Sequence, residues 1–306
     1  MKNLKKSLVL LFAVFIASYA IDKILYFAIS TVSEDVFTGQ AIGKLNQFFL
    51  VKDKVDILVL GSSRANHHID VKLISENGFN IGADGTKIAY LNALTKTLPI
   101  NKRQKLIVNI DAKNLFSKYY DGSDVNALNT RYHKSAVISE NIDALGKSNP
   151  LRKIYWLIDY NTVLLGIVTN YIKPKYDYKT YFGYDPISLT DTQKKIRTKI
   201  LSQIKKTDCS KIDITVNQLS EKLIIDLNQF CLDNSKDLIV VTTPLFNDTC
   251  KEDNKIMSDF FKNLNIKYID YSDFFIKDNN IDLWKDETHL TKLGAGIFTK
   301  ALKKSI

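Results

Sequence analysis

The chain has 306 residues, 45% of them hydrophobic and 25% charged, which suits a globular protein with a full core and excludes a disordered or low-complexity chain. Its net charge of +10 is carried almost entirely by lysine. The arginines are Arg64, Arg103, Arg131, Arg152 and Arg197, and no helix-turn-helix, zinc-finger or RRM pattern accompanies them, so a solvated lysine surface is expected and no nucleic-acid partner.

In chain order, Lys2, Lys5 and Lys6 precede an apolar run from Leu8 to Ile21, which resumes after Asp22-Lys23 through Ile29. A spanning helix needs ~20 mainly apolar residues, and Leu8–Ile29 meets that requirement if Asp22 and Lys23 lie near the outer interface. Residues 1–30 therefore read as a transmembrane signal anchor; the positive-inside rule keeps the lysines cytoplasmic and the rest of the chain outside. A cleaved signal peptide ending at Ser18-Tyr19-Ala20 is the alternative, with the same location for the domain. Residues 31–54 read as a juxtamembrane connector with a weak helical pattern around Ala41–Leu50, and 55–306 as one domain with an insertion over about 113–212.

Short β-rich runs at Val55–Leu60, Phe79–Ile81, Leu106–Ile110, Leu238–Thr242 and Ile266–Ile269 predict strands. Helical periodicity marks Thr86–Leu98, a face of Val216, Leu219, Leu223, Leu227 and Phe230, and Thr291–Lys304. Strands alternating with helices predict an α/β fold with a parallel sheet covered on both faces and a site at the strands' carboxyl ends. The insertion contains Tyr171-Ile-Lys-Pro-Lys-Tyr-Asp-Tyr-Lys-Thr-Tyr181 and no convincing strand pair. It reads as a partly helical insertion or subdomain on the catalytic face, its tyrosines either a carbohydrate-stacking or anionic-polymer groove or ordinary packing and surface. Of the three cysteines, Cys231 is expected in the core, while Cys209 and Cys250 are able to form an optional disulfide.

Serine acts as a nucleophile when a base takes its proton and donors stabilise the oxyanion. Ser63 follows the first strand directly, where Gly61-Ser-Ser-Arg64 breaks the apolar run. Near the other end, Asp286-Glu-Thr-His289 precedes a helix, a spacing that brings a carboxylate to an imidazole and fixes its tautomer. Between them, Asn80-Ile-Gly-Ala-Asp-Gly85 is a turn where backbone N–H groups approach a substrate closely. These parts compose a Ser63–His289–Asp286 triad.

The pattern resembles the SGNH (GDSL-like) hydrolases and acyltransferases, in particular membrane-anchored, envelope-associated members. Ile57-Leu-Val-Leu-Gly-Ser-Ser-Arg64 resembles the first family block, with Ser63 as nucleophile and Ser62 in place of the usual aspartate. Asn80–Gly85 is similar to the second, whose later glycine, here Gly85, donates an N–H to the oxyanion hole beside that of Ser63. Asp286-Glu-Thr-His-Leu-Thr-Lys-Leu-Gly294 is similar to the last block, and Val240-Val-Thr-Thr-Pro-Leu245 to the strand that precedes it. The third block normally supplies an oxyanion-hole asparagine; here Leu106-Ile-Val-Asn-Ile-Asp111 carries Asp111 at that position, and an ionised carboxylate cannot donate.

The resemblance implies a three-layer flavodoxin-like fold and a serine esterase or O-acyltransferase. The substrate implied is an acyl ester of a cell-envelope glycan, and no cofactor is expected. The alternative is an inactive scaffold retained for binding in envelope or polysaccharide assembly. A flavodoxin-like cofactor binder is disfavoured because no phosphate-cradling glycine loop occurs. His67 and His68, close to Ser63, read as surface or structural residues, or else as substrate contacts or surrogate bases; His133 has no motif around it, and Arg64 reads equally as an anion binder or an ion-pair partner. No His/Cys/Asp set has metal-ligand spacing.

Overall fold

The computed structural model describes residues 2–204, 214–248, 250–278 and 280–306. Cys209 lies outside them, and with it the optional bridge to Cys250. Cys231 is buried and free, as its place on an apolar helix face predicts.

Five apolar segments form one parallel sheet: β1 (Ile57–Leu60), β2 (Gly78–Asn80), β3 (Gln104–Asn109), β4 (Lys236–Thr242) and β5 (Lys267–Asp270), in the order β2-β1-β3-β4-β5. All five coincide with the runs read as strands. They read clearly because a parallel strand covered on both faces is a near-continuous apolar run. Alternate residues feed two cores. Leu58, Leu60, Leu106, Val108, Leu238 and Val240 face one side; Val59, Ile107, Ile239 and Val241 face the other. The fold is thus a three-layer α/β sandwich of flavodoxin-like strand order, whose topological switch point lies between β1 and β3.

The helices are α1 (Lys2–Glu34), α2 (Lys44–Val51), α3 (Ser63–His68), α4 (Val71–Ile74), α5 (Ile88–Thr95), α6 (Ala112–Leu115), α7 (Ala136–Ala144), α8 (Leu164–Ile172), α9 (Asp191–Leu201), α10 (Gln218–Asp233), α11 (Glu252–Asn263) and α12 (Lys292–Lys303). The first core packs α2, α5, α7, α10 and α11 on the sheet, and the second packs α3, α4, α9 and α12. Helix α11 was not evident from the sequence; its Met257 and Phe261 are fully buried in the first core.

Two stretches are more deeply integrated than the sequence suggests. Residues 31–54, read as a juxtamembrane connector, carry α2 where the weak helical pattern lies, and α2 buries Leu45 and Phe48 in the first core. The long insertion, instead of forming one subdomain over the site, divides among three packings. Its first part buries Val125, Leu128, Ile138 and Ile142 in the first core. Tyr160 and Ile167 pack against α1, while Tyr184 and Leu201 join the second core. The Tyr171–Tyr181 stretch is largely ring packing: Tyr178 stacks on Phe37 and Tyr176 on Tyr181, at centroid distances of 4.5 and 4.0 Å.

The N-terminal helix is apolar over enough of its length to cross a membrane, with Leu8 through Phe15 exposed. Its second half docks on the insertion, where buried Asp22 accepts the N–H groups of Trp156 and Leu157 at 2.8 and 3.0 Å. His133, which has no motif in the sequence, also serves this junction. It pairs with buried Asp159 at 2.7 Å and stacks on Trp156 at 4.5 Å.

Candidate active site

Strand β1 ends at Gly61, whose φ of +147° is in the region only glycine enters freely. A Cβ there would lie 2.7 Å from that of Ala65 and 2.9 Å from that of Asn109, so glycine lets the chain turn tightly between β1 and β3. Ser62 is extended, and Ser63 is the first residue of α3. At that position the backbone N–H has no partner within the helix and remains available to a ligand.

The candidate base arrives from the far end of the chain. Residues 284–290 form a closed loop pinned at its base by buried Trp284 and Leu290, which pair as an antiparallel bridge. Lys285 N–H donates to His289 O at 2.8 Å, and Thr291 N–H to Leu283 O at 2.9 Å. Gly294 explains the end of the motif. A Cβ there would stand 2.3 Å from Leu283 O, so only glycine lets α12 lie this close to the loop.

Across 226 positions of sequence, Ser63 and His289 meet: Nε2 lies 2.8 Å from Ser63 Oγ. Nδ1 lies 3.0 Å from each oxygen of Asp286. Asp286 also accepts the N–H groups of Thr288 and His289 at 2.9 Å and the Thr288 hydroxyl at 3.0 Å. Burial alone would raise the Asp286 carboxyl, but the His289 imidazole and the Thr288 N–H and hydroxyl outweigh it and hold the group well below the usual carboxylate range. An ionised Asp286 fixes the His289 proton on Nδ1 and leaves Nε2 as the acceptor for the serine proton.

A second histidine supports the loop from behind. His68 is fully buried, and its Nε2 accepts the Leu290 N–H at 3.0 Å. Burial, then the nearby Arg64 guanidinium and His289, push its pKa well below the ordinary value, so the ring is neutral and keeps the required lone pair. Its neighbour His67 lies beside Asp84 at 3.2 Å and near the Asp185 carbonyl at 2.7 Å. Burial opposes the charge on His67, yet these two acceptors outweigh it and raise its pKa. His67 is turned to these acceptors and His68 Nε2 to Leu290, and it is His289 that meets the Ser63 hydroxyl.

Ser63 opens into a cleft of about 800 Å³. Phe116, Ile204, Leu245 and Phe246 provide apolar wall; Arg64, Asp111, Lys113, Asp248, Asp253 and Glu287 provide charge. Of the oxyanion candidates, Ser63 lines the cleft. Gly85 has φ +78° and sits on a turn tied to the β1 end, where Ala83 N–H and the Thr86 hydroxyl donate to Gly61 O, but it is not among the cleft-lining residues. Asp111 does line the cleft, as an acceptor: it caps α6 by accepting the Asn114 N–H at 3.1 Å and lies 3.1 Å from the buried Arg64 guanidinium. Arg64 is therefore an ion-pair partner at the cleft wall. The aromatic stretch Tyr171–Tyr181 contributes nothing to the lining.

Among the described residues, no group of three or more His, Cys, Asp or Glu side chains is arranged to hold a metal ion. The sequence pattern marked Ser63, His289 and Asp286 but not the supporting role of His68, whose only signal was its position five residues after the serine. No protein-family model matches the chain, and no curated protein matches it.

Proposed function

We propose that the protein is a membrane-anchored serine esterase or O-acyltransferase of the SGNH type, acting outside the cytoplasm on an acyl ester of a cell-envelope glycan or related substrate. The observation that carries this reading is the continuous Ser63–His289–Asp286 relay, with contacts of 2.8 and 3.0 Å at the mouth of a cleft. Near-attack geometry of this kind is what nucleophile activation requires.

In the proposed reaction Ser63 Oγ attacks the acyl carbonyl while His289 Nε2 takes its proton. Ionised Asp286 stabilises the imidazolium so formed. The oxyanion is held by the backbone N–H of Ser63, and the resemblance assigns a second donor to the N–H of Gly85. His289 then protonates the leaving alcohol. Water or a sugar hydroxyl attacks the acyl-enzyme, delivering its proton to His289, and Ser63 leaves with that proton restored. Apolar Phe116, Leu245 and Phe246 suit an acyl chain, and the charged wall suits a polyol; the glycan rests on resemblance.

A fluorophosphonate probe tests the chemistry: it should label the wild-type chain and leave Ser63→Ala unlabelled. Failure to label a folded wild type would remove the enzyme reading. The same chain with a C-terminal reporter tests the location, since Lys2, Lys5 and Lys6 orient the anchor; reporter activity confined to the cytoplasm would contradict it.

A scaffold is the second reading, and one observation favours it. Position 111 holds an acceptor already engaged with Arg64, so that residue offers no donor for an oxyanion.

A further inference from the structure

Successive contacts fix one short segment of the insertion to one turn of α1. Asp22 accepts from Trp156 N–H and Leu157 N–H. Lys23 Nζ donates to Ile154 O at 2.5 Å and lies over the Trp156 and Tyr19 rings, 4.2 and 4.6 Å from their centroids. The Ser18 and Tyr155 hydroxyls are 3.0 Å apart. The anchor is therefore joined rigidly to the domain at residues 18–23.

That junction has a definite depth if α1 crosses the bilayer. A hydrocarbon core of ~30 Å takes ~20 helical residues. Counted from Leu4 it ends at Lys23, and counted from Ser7, beyond the last N-terminal lysine, it ends at Tyr26. Counted from Leu8, where the apolar run begins, it ends at Phe27, so Asp22 lies at the domain-side boundary or up to ~8 Å inside it. Whatever is bonded to Asp22 and Ser18 lies at that depth too.

The side chains of the segment fit this position. Leu151 and Ile154 are 55% and 38% exposed, an arrangement unfavourable in water and favourable at an acyl-chain boundary. Tyr19, Tyr155 and Trp156 gather at the level where amphipathic rings prefer to sit. Lys153 is exposed between the two apolar residues and long enough to reach headgroup phosphates. Asp22, which would be costly at this depth alone, has its carboxylate satisfied by two N–H groups and Lys23.

We propose that Pro150–Leu157 is a membrane-seating segment whose partner is the phospholipid bilayer crossed by α1. Leu151 and Ile154 enter the acyl boundary of the domain-side leaflet, and the domain is held at a fixed height over it instead of swinging on a tether. This rests on the anchor reading given above.

The test uses the full chain in phosphatidylcholine vesicles whose lipids carry bromine near the headgroup end of the acyl chains, with tryptophan emission as the readout. In a Trp156→Phe background, after subtraction of the emission of this parent, which retains buried Trp284, Leu151→Trp and, separately, Ile154→Trp should each show blue-shifted emission that the brominated lipid quenches. Leu11→Trp in the same background reports on the anchor, with bromine placed deeper along the chains. Quenching at position 11 without quenching at either 151 or 154 overturns the seating and leaves the anchor intact. A blue shift at 151 or 154 that bromine does not quench also overturns it, because the site is then covered by protein, such as a second copy. No quenching at position 11 overturns both.

Discussion

The Leu290 N–H donates to the Nε2 of His68 at 3.0 Å, so the residue after the candidate base is tied to the helix that carries the candidate nucleophile. Ser63 and His289 belong to elements that share no local contact in sequence. Helix α12 strengthens the tie through Thr299, whose hydroxyl donates to His68 O and accepts the Asp70 N–H, both at 3.1 Å. The relay distance is thus set by a second pair of contacts behind it.

Replacing His68 with leucine should loosen the relay without touching it. The Leu290 N–H would be left buried and unpaired, a cost of about 1–3 kcal/mol. Turnover of an ester substrate should fall through kcat with little change in KM, because the base loses its placement while the cleft is unaltered. Glutamine retains an acceptor and should restore part of kcat. Equal losses in the leucine and glutamine variants would show that the acceptor is not what matters.

The same histidine gives a pH dependence with a definite sign. In the folded chain burial keeps His68 neutral well below its ordinary value of 6.5, whereas the unfolded chain binds a proton there near pH 6.5. Its contribution is therefore complete above ~pH 6.5 and is lost as pH falls toward the folded pKa, at up to about 1.4 kcal/mol per pH unit. Denaturant midpoints measured on both sides of pH 6.5 should show a steeper acid loss for wild type than for His68→Gln. Parallel curves would contradict the assignment.

Close approach at Gly294 predicts a purely structural effect. The added methyl of Gly294→Ala would meet Leu283 O at 2.3 Å, and either α12 or the 284–290 loop must move. A cost of roughly 1–3 kcal/mol is expected from such overpacking. Because the loop holds His289, fluorophosphonate labelling should slow as well. An unchanged melting temperature would mean that the helix has room to shift.

The sheet was legible because each strand is a compact apolar run, and Ser63 because Gly61 interrupts the first run abruptly. The Asp286–His289 contact was legible because it is local, three residues apart on a turn. What joins Ser63 to His289 was legible only through likeness of motifs, since their meeting depends on strand order and on the docking of α12 on α3. The insertion could not be read at all in this way. Its placement is decided by long-range contacts such as Asp22 with Trp156, and its tyrosines read the same in a groove as in the stacks they form. Helix α11 is a different case: a parallel pair such as β4 and β5 requires a crossover, and a helix is the usual one, so topology points to a helix between Thr242 and Lys267 even where its pattern is weak.

Asp111 separates cleft architecture from chemistry. Asp111→Ala removes the cap of α6, worth about 0.5–2 kcal/mol, and leaves buried Arg64 without its carboxylate, which should bring the total to roughly 3–5 kcal/mol. Turnover should remain within a few-fold of wild type, since a carboxylate engaged as an acceptor offers an oxyanion nothing. Loss of nearly all turnover in a folded Asp111→Ala chain would place this residue in the reaction.

The relay itself makes the sharpest demand. Residues that act as a unit lose their effect together, so Ser63→Ala and His289→Ala should each lower kcat by ~10⁴–10⁶, and the double variant should be little worse than either. Asp286→Asn should be milder, at ~10²–10⁴, because the serine and the base remain and only the orientation and charge support of the imidazole are weakened. Ser63 and His289 are not core residues, and the alanine variants should keep the wild-type denaturant midpoint within ~0.5 kcal/mol. Asp286 is different, since it also accepts the N–H groups of Thr288 and His289, and its asparagine keeps an oxygen for them. Additive losses in the double variant would mean that Ser63 and His289 act independently, and the 2.8 Å contact would then be structural rather than the path of a proton.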